Sequence, residues 1–182
     1  MLAINICMKY FQYLDLDWEP VSKKLKQFVL ENKEYYNVSG WKNIDVLKIV
    51  HLYPDIIRML KPLNVLPINV NFYISHSAIS NIHKDATPHD CRRIIIPVMN
   101  CENSFTRFYR TEQDFNLTTN DNGIPYYGDI NPDLCTFVEE CRLDRAIAIR
   151  TKEPHNVISD KLFLPRISCP INVNKDLDYL FD

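Results

Sequence analysis

Between Pro20 and Tyr36 the apolar residues Val21, Leu25, Phe28 and Val29 recur at helical spacing, which predicts an amphipathic helix with Pro20 in its first turn. A second helical stretch is predicted from Asp45, a plausible N-cap, through Val46, Leu47, Ile49 and Val50; it is interrupted near Pro54 and resumes over Ile56, Ile57, Met59 and Leu60. Pro62 and Pro67 close this helical third. Beyond Leu66 the texture changes to short β-type runs at 68–75, 92–99, 105–110, 146–151 and 162–169. In the first of these, Val70, Phe72 and Ile74 share one face while Asn71, Tyr73 and Ser75 share the other, so one face suits a core and the other a pocket. Residues 111–134 are polar, contain the turn sequence Asn120-Asp121-Asn122-Gly123 and read as a long loop or insertion. The acidic tail 176–182 reads as a solvated end. With neither an internal repeat nor a domain boundary, the expectation is a single domain over 1–182: a helical support region at 1–66 and a β core at 67–170.

Composition narrows the function classes. Hydrophobic residues make up 46% of the chain and charged residues 24%, enough apolar material for a packed globular fold. The net charge of −2 lacks the basic excess of broad nucleic-acid binders, so no nucleic-acid partner is expected. With only Gly40, Gly123 and Gly128 available, neither a dinucleotide-binding glycine turn nor a phosphate-binding loop can be written. The six cysteines form no Cys-x-x-Cys pair and read as reduced thiols. The start, 1–8, is apolar but has no basic leader, and no run approaches the roughly 18 apolar residues of a membrane span; a cytoplasmic location without a membrane partner is the expectation.

Candidate chemistry lies with the five histidines. His83-Lys84-Asp85 sets an imidazole and a carboxylate two residues apart, which on an extended backbone directs both to one side. Alone this is a weak signal, since a surface pair has the same spacing. It gains weight from His155, in Pro154-His155-Asn156-Val157, and from Arg166-Ile167-Ser168 eleven residues later. Two imidazoles and one carboxylate on one face of a metal leave adjacent positions open, the arrangement of non-haem Fe(II) oxygenases. An arginine and a serine on one strand face suit a dicarboxylate, although a plain strand-surface salt bridge is the bland alternative for Arg166. His51, His76 and His89 read as ordinary loop or surface residues. Arg92, Arg93, Arg107 and Arg110 are candidates to orient an acidic substrate, with Arg92 and Arg93 the foremost.

Over about residues 69–169 the sequence resembles the Fe(II)/2-oxoglutarate-dependent oxygenase superfamily, whose signature is His-x-Asp, a distant His and an Arg, often Arg-x-Ser. The resemblance is to small, prolyl-hydroxylase-like members of bacterial or viral type. It implies a mainly β fold with N-terminal helices, a double-stranded β-helix or jelly roll of cupin-like form. It further implies His83, Asp85 and His155 as Fe(II) ligands, and Arg166 with Ser168 on the far carboxylate of the cosubstrate 2-oxoglutarate. Tyr73 resembles an upstream tyrosine of the cosubstrate pocket, its alternative being a plain core aromatic. The activity implied is dioxygenase hydroxylation of an unactivated C–H bond by O2, with succinate and CO2 formed; Asp85 argues against a halogenase. The substrate expected is a peptide or protein side chain, with a free amino acid or other small molecule close behind. A cupin-like isomerase or ligand-binding module is the alternative, and the Arg166/Ser168 pair separates the two, since a cupin has no need of a dicarboxylate clamp.

Overall fold

The computed structural model describes residues 9–37, 39–44, 46–87, 90–120, 123–128 and 130–181. The predicted features at 1–8, Asp45, His89, Cys7 and the centre of the 120–123 turn lie outside the described residues.

The architecture is mainly antiparallel β with a helical layer on one side. The chain enters through a short strand, β1 (Phe11–Tyr13), and continues into α1 (Glu19–Glu31), whose buried residues Val21, Leu25, Phe28 and Val29 are the predicted stripe. The predicted helix ends five residues early: Asn32 adopts φ −119°, and a separate turn, α2 (Lys33–Tyr36), follows. The next elements are β2 (Gly40–Asn43), α3 (Val46–Ile49) and α4 (Tyr53–Leu60). The stretch is interrupted just before Pro54, by a 3-10 turn at Val50–Leu52, and Pro54 itself stands in the first turn of α4, where its missing N–H costs no hydrogen bond.

Six strands build the main sheet, in the order β1, β10 (Ile147–Ile149), β5 (Arg93–Met99), β12 (Arg166–Val173), β3 (Pro67–Ser75) and β2. Facing it are β11 (His155–Ser159), β6 (Ser104–Arg110) and β9 (Thr136–Arg142) in one sheet, and β4 (Lys84–Asp85), β8 (Pro125–Gly128) and β7 (Asn116–Thr119) in another. Bridges at Ile79–Ile158 and His83–His155 join the segment that carries β4 to β11. From β3 onward the chain crosses between layers repeatedly: β3 and β5 lie in the main sheet with β4 opposite, and β10 and β12 in the main sheet with β11 opposite. Pro97, in the centre of β5, lacks an N–H; beside it the β5–β12 register slips by one residue, and the Ser22 hydroxyl of α1 donates to the Pro97 carbonyl at 2.6 Å.

The outer face of the main sheet and the helices form the principal core. Val70, Phe72 and Ile74 of β3, with Ile94 and Ile96 of β5 and Ile167, Cys169 and Ile171 of β12, pack against Leu25 and Phe28 of α1 and Ile56 and Leu60 of α4. A smaller cluster, with Tyr10, Ile95, Phe108, Leu143 and Ile147, fills one end of the space between the sheets.

Several expectations are corrected. The N-terminal third is not purely helical, because β1 and β2 complete the two edges of the main sheet. The 111–134 insertion is not a bare loop: β7 and β8 form a hairpin in it, turned at Gly123 with φ +73° and held by the Gly123 N–H on the Asn120 carbonyl at 2.8 Å. The run at 162–169 holds a 3-10 turn, Lys161–Phe163, before the strand begins at Arg166. The tail is docked, with Leu177 and Phe181 in the core and the Leu177 N–H on the Cys91 carbonyl at 2.9 Å. Its acidic pattern conceals two apolar anchors. Cys91, Cys101, Cys135, Cys141 and Cys169 are free thiols, as expected. No helix among the described residues is long and apolar enough to cross a membrane.

Candidate metal centre and anion pocket

The three residues predicted as ligands converge because two short segments pair at one point. His83 and His155 exchange both backbone hydrogen bonds, each N–H to the other's carbonyl at 2.9 Å, so they stand directly opposite one another on one face, with ring centres 4.5 Å apart. Two residues on, the strand period returns Asp85 to the same side, while Lys84 turns away to place Nζ 3.8 Å from the centre of the Phe115 ring. One potential donor atom from each of His83, Asp85 and His155 lies within 4.8 Å of the others. His83 Nε2 stands 3.7 Å from Asp85 Oδ1.

Both imidazoles are oriented by backbone carbonyls two residues upstream. His83 Nδ1 lies 2.9 Å from the Asn81 oxygen and His155 Nδ1 2.8 Å from the Glu153 oxygen. A carbonyl only accepts, so each Nδ1 carries a hydrogen, and in a neutral ring held this way Nε2 is the nitrogen with the lone pair that a metal ligand needs. Burial, reinforced by His83, pushes His155 down to about 4, which keeps its ring neutral near pH 7. Burial would raise the Asp85 carboxyl, but Arg93, His155 and His83 outweigh it and hold the group below the usual carboxylate value. Neutral imidazoles with an ionised carboxylate are the protonation states in which such a set binds a cation.

Beside this triad lies a cavity of about 70 Å³ lined by Tyr73, Arg93, Thr106, Arg166 and Ser168 with the three potential ligands. Such a volume holds several waters or a small ligand. Arg166 opens β12 and pairs in register with Ser75; Ser168 pairs with Tyr73, so the three site residues share one face of two adjacent strands. Arg166 is 2% exposed, its guanidinium stands 5.9 Å from the centre of the Tyr73 ring, and its buried Nε and Nη1 have no hydrogen-bond partner. Burying a cation with two unmet donors is among the costliest arrangements a fold retains, and it fits a pocket whose anionic ligand completes those bonds. Burial, opposed by Arg166, raises the Tyr73 hydroxyl and keeps it a neutral donor beside that pocket.

A second cavity of about 220 Å³ opens outward from the triad, sharing Trp41, Tyr73, His83 and Asp85 with the first and bounded by Ser80, Asn81, Asn120, Ile124 and Tyr126. The hairpin of the insertion thus forms one wall of the approach. A larger and more open groove of about 790 Å³, lined in part by Lys84, Tyr109 and Glu153, includes none of the three potential ligands.

Of the residues singled out from sequence, His83, Asp85, His155, Arg166, Ser168, Tyr73 and Arg93 meet at one cavity. Arg92 does not join them: it turns away from Arg93, and its Nε and Nη2 donate to Asp176 at 2.9 and 3.1 Å. Arg107 pairs with Glu140 at 2.7 Å, and Arg110 Nε donates to the Tyr10 hydroxyl at 3.3 Å. His51 and His76 are exposed and outside the cavity. Sequence reasoning missed Trp41, Thr106 and Asn172. Thr106 shares the buried face of β6 with Phe108, a usable signal; Trp41 reaches the site only because β2 pairs with β3, Trp41 opposite Tyr73. Compared with models of known protein families and with curated proteins, the sequence matches none.

Proposed function

We propose that this protein is a non-haem Fe(II)- and 2-oxoglutarate-dependent dioxygenase that hydroxylates an unactivated C–H bond of a peptide or protein side chain or an amino acid. The observation that carries the reading is the pairing, in one cavity, of a two-imidazole, one-carboxylate set with a buried guanidinium whose Nε and Nη1 lack partners. The donor set fits Fe(II), and the orphaned donors fit the far carboxylate of a dicarboxylate. The strand succession supports a double-stranded β-helix: β3, β12, β5 and β10 adjoin in one layer, and the β4 segment, β11, β6 and β9 in the other.

His83, Asp85 and His155 would hold the metal, and when bound it supplies, with 2-oxoglutarate and O2, the oxidising equivalents that insert an oxygen atom into a C–H bond. The work of the chain is positioning. The Asn81 and Glu153 carbonyls fix the imidazole tautomers, Arg166 with Ser168 and Tyr73 orients the anion, and Val157, Ile149 and Ile95 exclude water from the inner wall. Substrate would arrive through the outer cavity. Its described walls are aromatic, apolar or uncharged polar apart from Asp85 and His83, and the undescribed residues include no lysine or arginine. A free amino acid brings a carboxylate that these walls leave without a cation, whereas a residue within a peptide is neutral there; this favours the peptide.

The test is an anaerobic titration of the purified protein with Fe(II) and then 2-oxoglutarate, following the visible charge-transfer band of the chelate. The band should form in the wild type and require far more 2-oxoglutarate in Arg166→Ala. Iron uptake with no band would sink the oxygenase reading in favour of a cupin-like metal-binding module; no iron uptake would remove the metal centre altogether.

A further inference from the structure

We infer that Arg93 is a positioning residue of the metal centre: it takes one oxygen of Asp85 out of the donor set and aims the other at the space beside His83. The inference rests on the metal-binding reading of the triad and concerns what makes that triad a three-atom donor set.

Asp85 sits on β4, at two residues the shortest strand among the described residues, so its backbone gives little control over its carboxylate. Its N–H donates to the Thr151 carbonyl at 2.9 Å, a contact that fixes the main chain and leaves the side-chain torsions free. Control comes from the opposite layer. Arg93 Nη1 donates to Asp85 Oδ2, while Oδ1 is the oxygen that faces His83 Nε2 at 3.7 Å. The guanidinium is itself held from two more strands. Its Nε donates to Asn172 Oδ1 at 3.1 Å, from the residue opposite Arg93 in the β5–β12 register, and its Cζ stands 4.7 Å from the centre of the Trp41 ring on β2. Three strands of the main sheet therefore orient one carboxylate on the facing layer.

Charge neutralisation alone does not call for this construction. Any cation beside Asp85 would neutralise it, but the Asn172 bond and the Trp41 stack fix a planar group in direction, a property of guanidinium that an ammonium lacks. The chemical consequence lies in donor count. With Oδ2 engaged, Asp85 offers one oxygen, and the triad offers three atoms with three adjacent positions left. Released, the carboxylate is free to present both oxygens, taking up a position that a chelating dicarboxylate needs. Arg93 is thus assigned to the metal centre rather than to substrate.

The discriminating variant is Arg93→Lys, which keeps the charge and removes the fork and the stack. Mn(II) is the probe, its free concentration read by electron paramagnetic resonance on protein with and without 2-oxoglutarate, and with metal-free melting temperature as the folding control. Arg93→Lys should bind Mn(II) about 10-fold more weakly, the lower end for loss of an outer-sphere partner, and should lose a further factor for 2-oxoglutarate on the Mn(II)-loaded protein. Asn172→Ala, which leaves the Arg93 charge and its Asp85 contact in place, should move both quantities the same way by less; it carries the test if Arg93→Lys does not fold. Wild-type affinities in Arg93→Lys, or in Asn172→Ala should Arg93→Lys not fold, would overturn the inference, since charge alone would then suffice. A distinct failure, no Mn(II) uptake by the wild type or undiminished uptake by Asp85→Ala, would remove the metal-centre reading and the inference with it.

Discussion

The two faces of β3 differ as sharply as two separate domains do. Toward the helices, Val70, Phe72 and Ile74 are at most 2% exposed, and Phe72 packs between the rings of Phe28 and Tyr35 at 6.2 and 5.8 Å. Toward the facing sheets, Tyr73 and the neighbouring Arg166 and Ser168 bring polar groups to a cavity. The outer face makes contacts that are complete in the chain itself; the inner face leaves Nε and Nη1 of Arg166 unmet. A single strand thus separates stability from binding by residue parity alone, and substitutions one position apart should act on different observables.

The largest effect should come from the outer face. Phe72→Ala removes a fully buried ring and should cost about 3–5 kcal/mol in urea unfolding, while the folded fraction keeps its metal affinity. Loss of metal binding in proportion to the site rather than to unfolding would break the division between the faces. Next comes acid. His155 is held near 4 in the folded state against about 6.5 unfolded, so between those values the unfolded chain binds more protons. Its contribution is fully present above pH 6.5 and is lost as the pH falls to 4, a decrease of about 3 kcal/mol in metal-free protein. Asp85, also depressed, extends the loss in the same direction at lower pH. Urea titrations across this range should show the slope in the wild type and lose most of it in His155→Gln. The smallest effect sharpens the comparison: Arg166→Met removes an incompletely partnered buried cation and should raise stability by about 1 kcal/mol while abolishing dicarboxylate binding. A fall in stability would mean that Arg166 is a structural residue after all.

What the sequence made legible follows the same division. The parity of β3, the convergence of His83, Asp85 and His155, and the common strand of Arg166 and Ser168 are local patterns, and strand period 2 carries them directly into space. Elements of weak contrast were invisible. β9 is mostly exposed or half-buried, with Cys141 its single buried residue, so no apolar alternation announces it. β1 and β2 are three and four residues long and lie among helices, too short for a periodic signal. The partners of Arg93 come from β2, β4 and β12, and no spacing within the chain relates Trp41, Asp85 and Asn172. Arg92 and Arg93 look equivalent on paper; strand alternation sends one to Asp176 on the surface and the other to the triad.

The position of Trp41 also gives this protein a built-in optical probe. The chain has two tryptophans, and Trp18 packs at the helical core while Trp41 faces both cavities and the Arg93 guanidinium. With Trp18→Phe, the remaining indole emits from the mouth of the site alone, and a paramagnetic ion settling among His83, Asp85 and His155 quenches it without any label. Occupancy then becomes readable in real time, in turbid or crowded samples, and before any substrate is known.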